Sequence, residues 1–280
     1  MSTILDAIYN ISQQDDLNIK EVTFGNNRAN NMGEGLESFV KDAFTNTFNE
    51  PDKNKRNLEY NKVFSFQGSK RNPPDLMLKN GAALEIKKIE KKETELQLNS
   101  SHPKQTLKST SPFITKKCKN CEEWDERDFV YVIGHVEKSS LSTLWFIYGG
   151  IYAASEDTYI SLKKDITENI EKNPNIEFPK TKELGRVNQV DPLKITNLRI
   201  RGMWLLQAPF KVFDYVFDYD PAKKFRCYAL IPNSIYNEFT QESKSRINDP
   251  NTNIFISEVK VNDPDNSENL IDCKLVTFSV

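Results

Sequence analysis

The spacing of hydrophobic residues predicts two helices in the first fifty positions of the chain. Ile4, Ile8 and Ile11 recur at helical spacing and predict a short amphipathic helix over residues 3–13. A broader apolar stripe at the same spacing predicts a stronger helix over residues 33–48. A polar run that contains proline follows this second helix, and we expect the helix to end there.

Apolar runs in the middle of the chain predict a sheet. Residues 62–66 alternate between apolar and polar side chains, as a half-buried strand does. Residues 129–134 form a continuous apolar run, which indicates a central strand buried on both faces, and residues 144–148 resemble its neighbour. The other predicted elements are a hairpin of residues 75–79 and 82–88, a helix over 156–172, strands over 195–205, 209–216 and 225–231, and a short helix over 233–240.

The order of these elements indicates the fold class. Helices and strands mix in the first part of the chain, and strands dominate the last third. We therefore expect an α/β protein with a mixed central β-sheet flanked by helices and a C-terminal β-rich lobe. The sequence shows no internal repeat and no low-complexity linker.

Composition and charge exclude several classes of protein. With 280 residues, 38% of them hydrophobic, the chain can bury a core and is not disordered. The net charge of −2 provides no general basic coat, although a local basic cleft is enough to bind phosphates. No segment resembles a signal peptide or approaches the ~18 apolar residues of a membrane span. The four cysteines are too few for a disulfide scaffold, so we expect a reduced, cytoplasmic protein without a membrane partner.

The predicted hairpin around Asn80 carries the most informative side chains. A two-residue loop would turn Asp75 and Glu85 to opposite faces of the hairpin. A three-residue loop over residues 79–81 would place Asp75 directly across from Glu85, with their Cβ atoms roughly 5 Å apart. Such a loop needs a left-handed residue in third position, and Gly81 adopts that conformation without steric cost.

In that register one face of the hairpin holds two carboxylates and an ammonium. Lys87 projects from the same face because it lies two residues beyond Glu85. Two opposed carboxylates repel each other unless a cation or a shared proton compensates. Such oxygen ligands suit Mg²⁺, which lowers the pKa of a bound water and stabilises charge on a phosphate. Lys87 can orient that water or offset the developing negative charge.

The spacing of these three residues is not specific by itself, since a solvated hairpin with charges on its wet face would also show it. Two details favour chemistry: Pro74 gives a stiff entry to Asp75, and apolar residues flank Glu85 and Lys87. Together the residues resemble the PD-(D/E)XK nuclease motif. This resemblance implies a core of that type, with Asp75 and Glu85 as ligands of Mg²⁺ and Lys87 as a catalytic residue.

A wider resemblance covers most of the chain up to about residue 240. NNRAN at 26–30, NPPDLMLKNGAALEIKKIE at 72–90, NSSHPK at 99–104 and KELGRVNQVDPLKITNLRIRGMW at 182–204 resemble the NgoPII-type restriction endonucleases. The resemblance implies a type II restriction enzyme that cuts double-stranded DNA at a short palindrome, GGCC, as a homodimer with Mg²⁺. Composition and spacing do not show the sequence GGCC, which rests on the resemblance alone.

This resemblance also implies a domain organisation. We expect one restriction endonuclease domain over residues 1–280, with a catalytic core at about 25–150 and a DNA-recognition lobe at about 180–280. Glu37 borders the apolar face of the second predicted helix, where many PD-(D/E)XK nucleases place a further glutamate of the metal site. Glu34 lies one turn earlier and competes for that role, and either residue could instead be an ordinary carboxylate in water.

Three polar groups are candidates for DNA contact: a loop just before the second helix, a loop after the hairpin and an arginine-rich stretch. Arginine to guanine is the commonest specific base contact, so the arginine-rich stretch is the candidate for recognising G·C pairs. Each group also has an ordinary explanation, as turn residues, as a polar loop or as a surface strand with ion pairs. His102 could be a general base, but a DNA contact is favoured. The predicted DNA-binding residues are Asn26, Asn27, Arg28 and Asn30, then Ser100, Ser101, His102 and Lys104, and finally Arg186, Asn188, Arg199 and Arg201.

Two other functions fit the same residues. A repair or structure-specific nuclease on the same scaffold would nick DNA or depend on branched substrates, whereas a restriction enzyme yields discrete fragments. A DNA-binding protein with an inactive hairpin would bind duplex and never cut it. The intact set of Asp75, Glu85 and Lys87 argues against the inactive protein.

Overall fold

The structure is a computed structural model that describes residues 2–19, 28–69, 72–98, 101–137, 140–172 and 184–280. The α-helices are α1 (Ile4–Ser12), α2 (Arg28–Thr45), α3 (Lys53–Val63), α4 (Lys116–Lys119), α5 (Glu156–Glu171), α6 (Pro209–Val212), α7 (Asn233–Glu238) and α8 (Gln241–Ile247). The strands are β1 (Phe64–Ser69), β2 (Asn72–Leu78), β3 (Ala83–Ile89), β4 (Leu96–Gln97), β5 (Thr106–Lys108), β6 (Glu126–Glu137), β7 (Ser140–Tyr148), β8 (Gly185–Val187), β9 (Leu198–Ile200), β10 (Leu205–Leu206), β11 (Arg226–Pro232), β12 (Ile254–Asp263) and β13 (Asn266–Ser279). Within these ranges, no helix has the length and apolar character needed to cross a membrane.

One mixed sheet forms the centre of the molecule. Its strands lie in the order β1-β2-β3-β6-β7-β11-β13-β12, and β5 pairs with β6 off this path. β3 runs parallel to β6 and β7 parallel to β11, whereas the other neighbours on the path are antiparallel. Residues 129–136 of β6 are buried throughout, which confirms the prediction of a central strand covered on both faces. The predicted fold class, a mixed sheet with flanking helices, is confirmed.

The helices of the N-terminal part agree with the prediction only in part. α1 and α5 confirm the predicted helices, while α2 begins at Arg28, earlier than the pattern indicates. α3 was not predicted, because its sequence is polar and Tyr60 is its buried residue. Its start is fixed by Asp52, whose carboxylate accepts the backbone N–H of Asn54 at 2.8 Å. The strand predicted from residue 62 therefore begins only at Phe64.

The C-terminal part contains the main errors of the prediction. The strand predicted over 195–205 is wrong as a single element, since it splits into β9 and β10. The strand predicted over 209–216 is also wrong, because α6 starts there and Phe213 is buried behind it. β11 and α7 confirm the predicted strand and short helix. The long β12–β13 hairpin was not predicted, and together with β11 it extends the central sheet rather than forming a sheet of its own.

The first helix is held against a helix near the other end of the chain. Thr3 and Asp6 form a capping box at the start of α1, with their side chains 2.8 Å apart. The Asp6 carboxylate also accepts the hydroxyl of Ser243 at 3.0 Å and lies 3.4 Å from Arg246, both on α8. One buried carboxylate thus joins α1 to α8.

Two short strand pairs lie outside the central sheet. β10 pairs with β4, which follows the β2–β3 hairpin, and β8 pairs with β9 as a separate two-stranded ribbon. The β4–β10 pair is extended by a hydrogen bond from the Leu98 N–H to the Trp204 carbonyl at 2.9 Å. This pairing joins the end of the arginine-rich segment to β4, the strand that follows the hairpin.

Candidate functional site

The β2–β3 hairpin has the register that a three-residue loop predicts. Leu76 pairs with Leu84 in the antiparallel ladder. One step further along the same register, Asp75 lies opposite Glu85, on the face from which Lys87 also projects. The sequence-based prediction that these three side chains share one face is therefore confirmed.

The turn of the hairpin differs from the prediction in one respect. Asn80, not Gly81, has the left-handed conformation, with a φ of 54°. Asparagine tolerates this region because its short polar side chain costs little there. Gly81 instead permits a close approach, since its N–H donates to the Leu78 carbonyl at 3.0 Å and an added Cβ would lie 3.0 Å from the Leu78 Cβ.

Asp75 is held against the backbone of the facing strand. Its carboxylate accepts the N–H of Ile86 at 2.7 Å. Burial and then the charge of Glu85 raise the pKa of Asp75 to about 8, although Lys87 and the Ile86 hydrogen bond act in the opposite direction. The two facing carboxylates therefore resist being ionised together, as expected for groups placed to share a cation.

Glu85 and Lys87 form an ion pair that leaves one carboxylate oxygen without a partner. The Lys87 Nζ lies 2.8 Å from Oε1 of Glu85. Burial opposes the charge on Lys87, but Glu85 and Asp75 outweigh it and raise the pKa of Lys87. Oε2 of Glu85 is buried and has no hydrogen-bond partner. An unpaired buried carboxylate oxygen is costly, so this atom fits a ligand position for a cation.

These residues fit a hard divalent cation. Asp75 and Glu85 offer carboxylate oxygens from facing strands, the repulsion between them calls for positive charge, and Oε2 of Glu85 is unpartnered. Among the described residues, no group of three or more histidine, cysteine, aspartate or glutamate side chains forms a metal cluster. Two protein ligands suit Mg²⁺, which completes its shell with water and phosphate.

Glu37 lies near this pair but already has a partner. Its carboxylate is 2.7 Å from the Nζ of Lys41, one turn further along α2. The charge of Glu37 contributes last among the causes that raise the pKa of Asp75, so it acts on the site from a distance. The structure thus places Glu37 at the edge of the site, and Glu34 lies one turn earlier on the same helix.

The polar loop after the hairpin is largely buried. His102 and Lys104 are each 7% exposed, and the His102 ring stacks on Tyr159 at 5.5 Å. Burial, with a smaller contribution from the charge of Lys104, lowers the pKa of His102 to about 4. A buried, neutral ring has little surface left for DNA. Ser101 is partly exposed, and Ser100 lies outside the described residues.

The arginine-rich segment is an exposed ribbon. Arg186 on β8 lies directly opposite Arg199 on β9, and the Nε of Arg186 donates to Oδ1 of Asn188 at 2.8 Å. Arg201 lies just beyond β9, so the expected strand through Arg199 and Arg201 ends between them.

The predicted loop before the second helix is only partly described. Asn26 and Asn27 lie outside the described residues. The backbone of Arg28 and Asn30 belongs to α2, so the prediction that these two residues form a loop is wrong. The predicted helix started too late because the apolar stripe that indicates it begins only after these two residues.

Two residues beside the site were not predicted from the sequence. Tyr131 lies next to Glu85 in the parallel pairing of β3 with β6, and its hydroxyl contacts the backbone of Lys104. Glu156 starts α5 and lies 3.5 Å from His102 and 3.2 Å from Lys108. Tyr131 is the one residue in the run of 129–134 whose side chain ends in a hydroxyl, and that was the available signal.

Comparison with known proteins identifies the family. The model of the family described as NgoPII restriction endonuclease matches residues 2–262. The chain is 42% identical over 277 residues to the type II restriction enzyme NgoPII of Neisseria gonorrhoeae, covering 98% of this chain and 99% of the relative. No solved structure matches. Type II restriction endonucleases generally require a divalent metal ion. The chain therefore belongs to the NgoPII restriction endonuclease family.

Proposed function

We propose that this endonuclease hydrolyses double-stranded DNA at a short palindrome, with GGCC as the expected target, by Mg²⁺-dependent attack of water. Asp75 and Glu85 would hold the metal ion, and Lys87 would assist the attacking water. The observation that carries this proposal is the hairpin itself. Its register sets the two carboxylates face to face, and one buried oxygen of Glu85 lacks a partner.

The roles of the side chains follow from their contacts. A bound Mg²⁺ supplies Lewis acidity, which makes water a stronger nucleophile and stabilises charge on the scissile phosphate. The Ile86 N–H fixes the orientation of the Asp75 carboxylate through a 2.7 Å hydrogen bond. Lys87 stays protonated because Glu85 and Asp75 raise its pKa, so its ammonium can orient water and offset negative charge.

The β8–β9 ribbon supports a proposal for sequence recognition. The major groove of DNA admits a two-stranded β-ribbon, and arginine pairs with the O6 and N7 atoms of guanine. Arg186 and Arg199 face each other on this ribbon, with Asn188 hydrogen-bonded to Arg186. We assign Arg186, Asn188, Arg199 and Arg201 to contact with the bases of the target.

Other predicted contacts remain proposals of the same kind. A palindromic target suits two copies related by a two-fold axis, so we propose that the enzyme acts as a homodimer.

We also propose that the chain divides into a catalytic part at about 25–150, which contains the hairpin, and a recognition part at about 180–280, which contains the ribbon. The four cysteines are free, which fits an enzyme of the reducing cytoplasm. The remaining proposed DNA contacts, apart from the ribbon, are Asn26, Asn27, Arg28, Asn30, Ser100, Ser101 and Lys104, whereas the buried ring of His102 is no longer proposed as one.

A digest of mapped plasmid DNA tests this function. Discrete fragments that appear with Mg²⁺ and not with EDTA, and whose sequenced ends fall within GGCC, would support the proposal in full. Fragments that end at another sequence would contradict only the proposed target sequence. Random nicks, a requirement for branched DNA or the absence of cutting would contradict the restriction activity.

A further inference from the structure

Lys104 is a buried lysine whose position the proposed cleavage reaction does not yet explain. It is 7% exposed, and burial lowers its pKa to about 8 although Glu156 and Glu85 act in the opposite direction. Among the described residues, no carboxylate comes within 4.0 Å of its ammonium. A buried ammonium is costly without a close partner, so its place requires an explanation.

The backbone of Lys104 is attached to the strand beside Glu85. Tyr131 on β6 aligns with Glu85 on β3, so both side chains leave the same face of the sheet. The Tyr131 hydroxyl accepts the N–H of Lys104 at 2.7 Å and donates to its carbonyl at 3.4 Å. Tyr131 is 1% exposed, so these bonds form in a dry environment where they hold geometry well.

A second contact fixes the same backbone from the other side. Gly149 lies so close that an added Cβ would be 2.2 Å from the Lys104 carbonyl oxygen. The neighbouring carbonyl of Gln105 accepts the N–H of Phe129 at 3.2 Å. Strand β6 and the turn after β7 therefore clamp the loop at Lys104, and only a residue without a side chain fits at position 149.

The side chain of Lys104 contacts a loop that is hydrogen-bonded to the strand of Asp75. Its Nζ lies 5.1 Å from the ring centroid of Phe113, a cation–π contact. The Phe113 carbonyl accepts the side-chain amide of Asn72 at 2.8 Å, and Asn72 begins the strand that carries Asp75. Lys104 is thus connected to both metal-binding strands, through Tyr131 to one and through Phe113 to the other.

We propose that Lys104 is a further catalytic residue, positioned by Tyr131, whose ammonium binds an oxygen of the scissile phosphate. This inference rests on the proposed nuclease function and adds a second cation to Lys87. Tyr131 and Glu85 lie on one face of the sheet, and the charge of Glu85 acts on the ammonium of Lys104, so Lys104 lies on the side of the sheet where a phosphate would meet the metal ion. The ammonium stabilises the negative charge that develops as water attacks, and no proton needs to leave it.

The test measures cleavage and binding separately. Single-turnover cleavage in Mg²⁺, with enzyme in excess, gives the chemical rate, and DNA affinity in Ca²⁺ gives the Kd. Lys104→Met keeps the length of the side chain and removes its charge. We expect its rate to fall on the order of 100-fold, as for loss of one preorganised charge stabiliser, with a Kd within about threefold of wild type.

Tyr131→Phe tests the positioning role, and Tyr228→Phe is its matched control. Tyr228 is also a buried tyrosine, and its hydroxyl donates to the backbone carbonyl of Asp218 at 3.1 Å, away from the hairpin. Both variants lose a hydroxyl that bonds to backbone and should lose similar thermal stability. We expect Tyr131→Phe to lower the single-turnover rate about tenfold, about 1.4 kcal/mol of transition-state stabilisation, and Tyr228→Phe to leave it unchanged.

Three outcomes would overturn the inference. The first is a wild-type rate for Lys104→Met. The second is a loss of affinity in that variant without a loss of rate, which would make Lys104 a binding residue only. The third is an equal effect of Tyr131→Phe and Tyr228→Phe. None of these results would contradict the proposed nuclease function. A wild-type chain that cuts no DNA would contradict both proposals.

Discussion

The β2–β3 hairpin and the β8–β9 ribbon are both antiparallel strand pairs, but they differ in their surroundings. The hairpin lies inside the central sheet between β1 and β6, and its paired residues Leu76 and Leu84 are fully buried. The ribbon pairs with no further strand in the described part of the chain, and Leu198 on it is 52% exposed. The hairpin thus has a strand on either side, whereas the ribbon has none in the described part of the chain.

This difference matches what each region is proposed to do. Metal ligands must keep their geometry within fractions of an ångström, and sheet strands hold it better than loops do. A recognition element must instead reach into a groove, where exposed side chains meet base edges. The exposed arginines of the ribbon suit an anionic partner such as DNA, whereas the facing carboxylates of the hairpin repel each other until a cation binds between them.

The largest effect should come from removing a carboxylate of the hairpin. Asp75→Ala should lower the cleavage rate by at least on the order of 10³-fold, because it removes one of two protein ligands of the metal. Specific DNA binding should persist, since the ribbon is intact. Gel-shift titration and a cleavage time course measure the two effects. Retained cleavage by this variant would show that Asp75 is not needed for the reaction.

Core and surface leucines in the two regions should differ strongly in their effect on stability. Leu84→Ala should cost about 2–5 kcal/mol of unfolding free energy, because it leaves a cavity under the hairpin. Leu198→Ala should stay within about 0.5 kcal/mol, since Leu198 is exposed on the ribbon. Urea denaturation measures both. Similar losses in the two variants would show that the ribbon is buried in the folded enzyme. They would contradict the difference in burial between the hairpin and the ribbon.

Removal of a ribbon arginine should weaken recognition without changing the fold. Arg186→Ala and Arg199→Ala should each cost about 1–3 kcal/mol of specific binding and relax the preference at one base pair. Lys260→Ala on β12 is the control for loss of one exposed positive charge. Titration of target and altered duplexes checks the result. A loss that is equal for all sequences would assign these arginines to the phosphate backbone.

The smallest expected effect is the gain in stability that Asp75→Asn should give the metal-free protein. The pKa of Asp75 is raised from 3.8 to about 8, so the unfolded chain loses this proton first as pH rises. Stability should therefore fall between about pH 4 and pH 8. Asp75→Asn should weaken this fall and raise Tm by a few degrees at pH 8 in EDTA, with little change near pH 4. An unchanged profile would show that Asp75 ionises freely.

The arrangement of the hairpin could be predicted because it depends on local rules. Strand side chains alternate between faces, so the length of one loop decides whether Asp75 faces Glu85. The same reasoning failed where distant contacts decide the structure. The polar helix α3 is held by Arg56 and Tyr60, whose side chains lie 2.5 Å and 2.7 Å from the buried carboxylate of Asp42 on α2.

The wider site also depends on contacts far apart in the sequence. The burial of Lys104 results from Tyr131 and Gly149, which follow it by more than twenty residues, and no local pattern indicates such a clamp. The opposition of Arg186 and Arg199 depends on where β8 and β9 pair, which the long intervening loop leaves undetermined. The residues that carry chemistry could therefore be predicted from the sequence better than the contacts that hold them in place.

The central claim is that the facing carboxylates of one hairpin hold a divalent ion at the DNA backbone. A crystal structure of the complex with target DNA and Ca²⁺ tests it most directly. The account predicts one ion with a carboxylate oxygen of Asp75 and one of Glu85 about 2.3–2.6 Å away, and with a phosphate oxygen in its shell. An ion bound elsewhere, with these two carboxylates both uncoordinated beside the cleaved phosphate, would contradict it.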